Sequence, residues 1–278
     1  MSEADSGVRL QKHLASQGIA SRREVDQWIQ AGRIKVNGEV AVPGTRVRPE
    51  DSIAIDGREV PRARTRERTR VLLYNKPVGE ICTRSDPEGR RTVFEHLPTL
   101  RNSRWLSVGR LDIHSAGLLL FTNHGELAAR LTHPSSNIDR EYAVRVDGEV
   151  PDEALEQLRA GVELDDGTAR FTDIQLDGGE GRNRWYHVCV MEGRNREVRR
   201  LFDSQGLTVA RLKRVRFGPV VLPRGLPRGT LTEFTDKEVV ALAGLVDLRV
   251  NAPGPARPDP DQSLSMKQAA RSAICSAV

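Results

Sequence analysis

Long apolar runs, paired cysteines, aromatic residues and lysine are all scarce in this chain. No apolar stretch approaches the roughly 18–20 residues that cross a bilayer, so no spanning helix is expected. The start, Met1-Ser2-Glu3-Ala4-Asp5, has neither a basic n-region nor an apolar core, so it does not read as a secretory signal and a cytoplasmic location is expected. Three scattered cysteines, Cys82, Cys189 and Cys275, make neither an even set nor a CxxC pair. That argues against a disulfide framework and a structural zinc. None of the six histidines has metal-ligand spacing, and there is no GxGxxG after a strand and no Walker loop. The expected complement of metals and cofactors is therefore none. Aromatics reach only 4%, yet hydrophobic residues make up 38%, enough for a core and too much for a wholly disordered chain. Lysine supplies only 6 of the 43 cationic side chains, leaving 37 arginines and a net charge of +5. Arginine's rigid fork suits phosphates and base edges, so a polyanionic partner is expected.

The 278 residues suffice for one large or two ordinary domains, and the pattern divides them. Residues 1–7 read as a frayed start. Residues 8–57 read as a small unit. Leu10 and Leu14 share a helical face, and Ser21-Arg22-Arg23-Glu24 has the spacing of a capping box. Val25, Trp28 and Ile29 continue at helical spacing to a C-cap glycine, Gly32. The alternation Arg33-Ile34-Lys35-Val36 followed by Asn37-Gly38 predicts a hairpin, and Ser52–Gly57 adds an alternating piece. Residues 58–70, with Arg58, Arg62, Arg64, Arg66, Arg68 and Arg70, read as a basic linker, either a solvated tether or a strip that meets a polyanion. Residues 71–248 alternate strands (71–74, 105–108, 118–121, 142–146, 185–191, 209–217) with helices (126–131, 152–160, 196–205, 237–246). Asn195 and Asp236 are expected as N-caps of the last two helices. The unequal helices and loops predict an α+β fold rather than a doubly wound sheet. Residues 249–278, rich in proline, read as a disordered tail, with a transient helix at 266–273.

Four constellations stand out. Gly109-Arg110-Leu111-Asp112-Ile113-His114-Ser115-Ala116-Gly117 puts a lone carboxylate in a loop before a very apolar strand. Loops on rigid scaffolds often carry catalytic groups, although the same residues also make an ordinary turn with an Asp112–Arg110 ion pair. Glu192–Phe202 places Arg194, Arg196, Arg199 and Arg200 at a helix start, an anion-binding concentration or a solvated face. There Val198, Leu201 and Phe202 are expected in the core and Arg196, Arg199 and Arg200 around the rim. Asp139-Arg140-Glu141-Tyr142 opens a strand whose tyrosine is either core or a base-stacking platform. Tyr74-Asn75-Lys76-Pro77 ends a strand at a proline.

These motifs carry a resemblance. Residues 109–123 are similar to the catalytic motif, and 192–202 to the third motif, of the RsuA/RluB-type pseudouridine synthase family. Tyr74–Pro77 and Arg140–Tyr142 match its accessory motifs. Residues 8–57 resemble its alpha-L RNA-binding module. The segments 82–90 and 178–181 resemble the branch acting on the large ribosomal subunit. The resemblance covers about residues 8–245 and implies a mixed, largely antiparallel-sheet catalytic domain over 71–248 behind an alpha-L type domain over 1–57. It implies Asp112 as the nucleophile, Tyr142 as the aromatic stacked on the target base, and Arg199 as the basic partner of the carboxylate. Arg110 would help extrude the base, and Arg22, Arg23, Arg33, Lys35, Lys76 and Arg196 would contact RNA. The chain departs from the pattern at His124, where the family has aspartate in an Asn-Asp-Gly turn, and in a tail that is not strongly basic.

The implied reaction breaks a uridine N-glycosidic bond, turns the base and rebonds it through C5. It is redox-neutral and calls for an ionised carboxylate rather than a cofactor. An arginine beside a buried carboxylate would keep it ionised. Attack at C1′, attack at C6 and passage through a glycal all remain open at this point. The expected substrate is 23S rRNA or a large-subunit assembly intermediate, met by a monomer with no membrane partner. Specificity for 16S rRNA or another 23S uridine, or a non-catalytic ribosome-assembly role, are the alternatives.

Overall fold

The first helices form where apolar spacing and capping agree. In the computed structural model, which describes residues 7–61, 68–101, 103–181 and 183–251, β1 (Val8–Arg9) leads into α1 (Leu10–Ser16) and then α2 (Arg22–Gln30). The Ser21 hydroxyl accepts from the Glu24 N–H while the Glu24 carboxylate accepts from Ser21 N–H, so the expected capping box is present. β2 (Ile34–Val36), β3 (Glu39–Val40), β4 (Arg46–Val47), β5 (Ile53–Ile55) and β6 (Arg58–Glu59) complete the unit. Asn37 and Gly38 both take positive φ (51° and 88°), as a tight hairpin of this hand requires. Leu10, Leu14, Val25, Ile29, Ile34, Val47 and Ile53 form its core. Its sheet runs past residue 57. β6 pairs with β5, and Val60 packs on the same core, so the basic stretch begins as structure rather than tether. Residues 1–6 and 62–67, including Arg62, Arg64 and Arg66, lie outside the described residues.

The described residues pack as two units, one drawn from residues 7–69 together with 98–105, the other from 70–97 and 106–251. The return of Pro98–Trp105 to the first unit has no signature in the sequence.

The second unit contains β7 (Val71–Lys76), β8 (Leu106–Val108), β9 (Ser115–Thr122), α3 (Gly125–Thr132), β10 (Arg140–Asp147), α4 (Asp152–Ala160), β11 (Val162–Leu164), β12 (Gly167–Ala169), β13 (Asp173–Gly178), β14 (Asn183–Val190), α5 (Glu197–Asp203), β15 (Thr208–Phe217), β16 (Val220–Val221), β17 (Leu231–Glu233) and α6 (Asp236–Gly244). Its main sheet runs β13-β14-β10-β15-β9-β7-β17, antiparallel throughout except for the parallel β15–β9 pair. The α+β expectation is therefore met. Val71, Leu73, Leu118 and Leu120 of the sheet pack with Leu127 and Leu131 of α3 and Val239 and Leu242 of α6. Phe202 of α5 meets Phe171 and Tyr186 at ring-centroid distances of 5.3 and 6.4 Å.

Several local expectations are corrected. α5 is preceded by Arg196 in the left-handed region (φ 49°), not capped by Asn195, and Glu197 reaches back to accept from the Arg194 N–H at 3.2 Å. α6 is capped by Thr235 in a box with Glu238 rather than by Asp236. β11, β12, β13, β16 and β17 are strands beyond those that the sequence pattern predicts. Leu248 and Val250 pack against the second core, so the tail does not begin at 249. Residues 252–278 lie outside the described residues.

Candidate active site

The loop between β8 and β9 carries Asp112. Its Oδ1 accepts from the His114 N–H at 2.8 Å and its Oδ2 from the Ser115 hydroxyl at 2.7 Å. Both donors come from the turn that Asp112 itself opens, so the carboxylate orientation is set locally. Its side chain is 23% exposed, not enclosed. A segment following β7 clamps this loop. Gly79 N–H donates to Ile113 O at 2.8 Å. The Cys82 thiol donates to Leu111 O at 3.2 Å, and Leu111 N–H donates back to the sulfur at 3.4 Å. Burial pushes the Cys82 thiol above its ordinary range, which suits a structural thiol.

Lys76 completes the clamp and corrects its expected role. It is fully buried, and its ammonium donates to Pro77 O, Asp112 O and Ser115 O at 2.9, 3.1 and 2.8 Å. A side chain so enclosed does not reach a phosphate. It binds the carbonyls on both sides of the Asp112 turn. Burial draws its pKa down, opposed by Cys82, Glu80 and Asp112.

Arg199 comes from α5. It is 8% exposed, so it is not a rim cation. Its Nη1 donates to Val209 O at 2.9 Å and its Nη2 to His114 O at 3.3 Å. Its Nε lies 3.7 Å from Asp112 Oδ2. The arginine therefore ties α5, β15 and the Asp112 loop together while facing the carboxylate. The neighbouring arginines are mostly neutralised. Arg200 forks onto both Asp166 oxygens at 2.8 Å, and Arg194 pairs with Glu192 and bonds the carbonyls of Asp166, Gly167 and Thr168. Arg196 alone of the four is exposed. The helix start is thus mainly an internal ion network, with one arginine aimed at Asp112.

Tyr142 lies on β10, buried. Register sets it opposite Arg214 on β15, Arg214 opposite Gly117 on β9, and Gly117 opposite Lys76 on β7. Ser115, two along from Gly117, shares that face by strand alternation. The sheet thereby brings Tyr142 to the face on which Ser115 anchors Asp112. Gly117 explains the close strand contact: with φ 101°, any Cβ there would lie 2.2 Å from Arg214 O. Arg214 is buried and donates from Nε to Leu118 O at 2.7 Å, a contact that sequence motifs did not indicate.

The other expected RNA contacts separate by exposure. Arg110, beside Asp112, is exposed, as are Arg22, Arg23 and Lys35 in the first unit. Arg33 pairs with Asp56, Nε to Oδ1 at 2.9 Å, and lies over the Trp28 ring at 5.2 Å, so its charge is already engaged. Arg70 forks onto Glu233 at 2.7 Å. His124, the departure from the family's turn, caps α3 by accepting from Leu127 N–H at 3.2 Å, filling the role an aspartate oxygen plays. Among the described residues no cluster of three or more His, Cys, Asp or Glu is placed to hold a metal, and no helix is long and apolar enough to cross a membrane.

Residues 70–204 match the RNA pseudouridylate synthase family, and residues 8–53 match the S4 domain. The chain is 58% identical over 251 residues to a ribosomal large subunit pseudouridine synthase B of Pseudomonas aeruginosa, a match covering 89% of this chain and 65% of that protein. It is 52% identical over 266 residues to the Vibrio cholerae protein of the same name, covering 95% and 83%. A crystal structure of a pseudouridylate synthase superposes with a TM-score of 0.59 at 26% identity, covering 84% of this chain and 99% of that one. An S4 domain followed by a synthase domain on a mixed sheet is the class that fold and matches define together. The chain belongs to the RNA pseudouridylate synthase family.

Proposed function

We propose that the chain isomerises a uridine of 23S rRNA, in the large ribosomal subunit, to pseudouridine, with Asp112 as the nucleophile. One observation carries the reading: a part-exposed carboxylate, oriented by Ser115 and His114, lies 3.7 Å from a buried arginine. The reaction breaks C1′–N1, forms C1′–C5, removes the C5 proton and returns a proton to N1. Attack at C1′, attack at C6 and a glycal route all begin with the same ionised, immobile carboxylate. Arg199 supplies the opposing charge without competing for the Ser115 and His114 bonds. Tyr142 stacks on the extruded base, returning about 1–3 kcal/mol of the few that unstacking costs. Arg110 fills the space the base leaves, and Arg22, Arg23, Lys35 and Arg196 meet phosphates. The redox-neutral chemistry asks for no cofactor. The enzyme acts as a monomer in the cytoplasm, where its substrate is assembled. The names of the relatives, ribosomal large subunit pseudouridine synthase B, support the substrate.

The test is to map pseudouridines in rRNA from a strain lacking this chain. One 23S position should lose its modification, regain it with the wild-type chain and stay unmodified with Asp112→Asn. An unchanged 23S profile, or rescue by Asp112→Asn, would defeat the reading.

A further inference from the structure

The main sheet of the synthase unit has a second face. Along β10, Arg140, Tyr142, Val144 and Val146 are buried, and the residues between them point the other way, part-exposed or exposed. Register builds a row across four strands of that second face: Gly178 of β13, Trp185 of β14, Arg145 of β10 and Arg211 of β15. Trp185 is part-exposed, and its β13 neighbour has no side chain; even a Cβ added at Gly178 would meet nothing within 4 Å. One flank of the indole is therefore open. The other flank is Arg145, whose Nε is shielded from solvent and has no hydrogen-bond partner. Arg211 is exposed, and Lys213, two along β15, shares its face. Among the described residues, none of these three cations makes a salt bridge. The opposite end of the same face is balanced. There Arg216 pairs with Glu141 and Asp139 at 2.7 and 2.6 Å, and His187 Nδ1 lies 2.7 Å from Glu141. The unmatched cations are thus gathered at the end that holds the tryptophan.

An aromatic ring open on one flank and bordered by free cations suits a single-stranded nucleic acid, whose base stacks while its phosphates meet the cations. No acid stands in the row to repel them. The face is turned away from Tyr142, so the strand that carries the target uridine does not occupy it. A large folded rRNA can reach both faces. Resting on the rRNA-synthase reading, we propose that Trp185, Arg145 and Arg211, with Lys213 beside them, form a second RNA-binding surface that takes a single-stranded segment of the folded rRNA remote from the target uridine. Such a surface favours a uridine embedded in folded rRNA over the same loop presented alone.

The test uses the full chain with two RNAs, a 23S rRNA transcript and a short stem-loop holding only the modified uridine and its immediate neighbours. Affinity is titrated across salt concentration and single-turnover rate is measured beside it, with thermal melts to show that each variant is folded. Trp185→Leu should weaken transcript binding about 5- to 150-fold, the worth of one stacked base, and Trp185→Phe much less. Replacing Arg145 and Arg211 together by glutamine should lower the slope of log K against log salt by about 0.7 for each single-strand phosphate lost, and replacing both by lysine should preserve it. Affinity and turnover on the stem-loop should stay at wild type in every variant. Wild-type affinity and slope on the transcript in the folded variants would overturn the proposal. An equal loss on the stem-loop would overturn it too, by placing these residues on the target strand. A loss confined to large-subunit particles, with the naked transcript bound normally, would assign the face to a protein instead. A wild-type chain that binds the transcript through this face but isomerises nothing would defeat the enzyme reading and leave the surface standing.

Discussion

Replacing Arg199 by alanine separates a carboxylate partner from a phosphate contact. At 3.7 Å from Asp112, the attraction between unit charges is about 4–5 kcal/mol at an effective dielectric of about 20. The net effect is smaller, because Asp112 is partly exposed and keeps its bonds from Ser115 and His114. About a third to two thirds of the attraction, roughly 1.5–3 kcal/mol, is the reasonable share for an ion pair with one partner partly exposed. If it is expressed in the transition state, the chemical step slows roughly 10- to 150-fold. The same substitution strips a donor from Val209 O and His114 O, so stability should fall by about 1–3 kcal/mol. Because Arg199 is buried, the affinity for RNA should change little. Arg199→Lys retains charge but not the fork that spans the two carbonyls, and should lie between. The assay is single-turnover tritium release from C5-labelled RNA at saturating enzyme, beside a binding titration and a thermal melt. Alanine turnover within twofold of wild type would refute the pairing. A large loss of affinity with an unchanged rate would return Arg199 to the phosphate-binding role.

Tyr142→Phe should retain most single-turnover activity, whereas Tyr142→Leu should lose about 5- to 150-fold, the worth of one base–aromatic stack. Equal rates for the two would remove the stacking role. Glu197 gives a pH test. Burial raises its carboxyl above the ordinary range, so the native state retains a proton that the unfolded chain releases, and the group subtracts stability as pH rises from its unfolded value through its folded one. Denaturant unfolding of Glu197→Gln and wild type should therefore give a difference that grows in the variant's favour as pH rises above the ordinary carboxyl value of about 4.5. A pH-independent difference would show that Glu197 does not titrate in this way.

Elements that close on themselves within a few residues were legible in the sequence. The Ser21–Glu24 box, the Asn37-Gly38 hairpin and the apolar faces of α2 and α5 depend on neighbours, and local patterns report neighbours. Thr235-Asp236-Lys237-Glu238 carried the same capping signal, and its proper reading makes Thr235 the cap. The turn around Asp112 was legible too, because the donors that orient its carboxylate, His114 and Ser115, lie in the same few residues. Charge was another matter. Whether an arginine is free or neutralised depends on acids far along the chain: Asp166 for Arg200, 34 residues away, and Glu233 for Arg70, 163 away. Composition shows a surplus of cations but not which side chains constitute it. Lys76 resembled a contact at the end of a strand until the sheet buried it beneath three carbonyls. The edge strand β13, with Gln175, Asp177 and other polar residues, has little intrinsic strand character and acquires its form by pairing with β14. The excursion of residues 98–105 is the plainest case, since no local periodicity announces that a segment of one unit will pack with another. Local sequence determines what its own hydrogen bonds and apolar spacing can satisfy, and tertiary packing decides which charges are left to meet RNA.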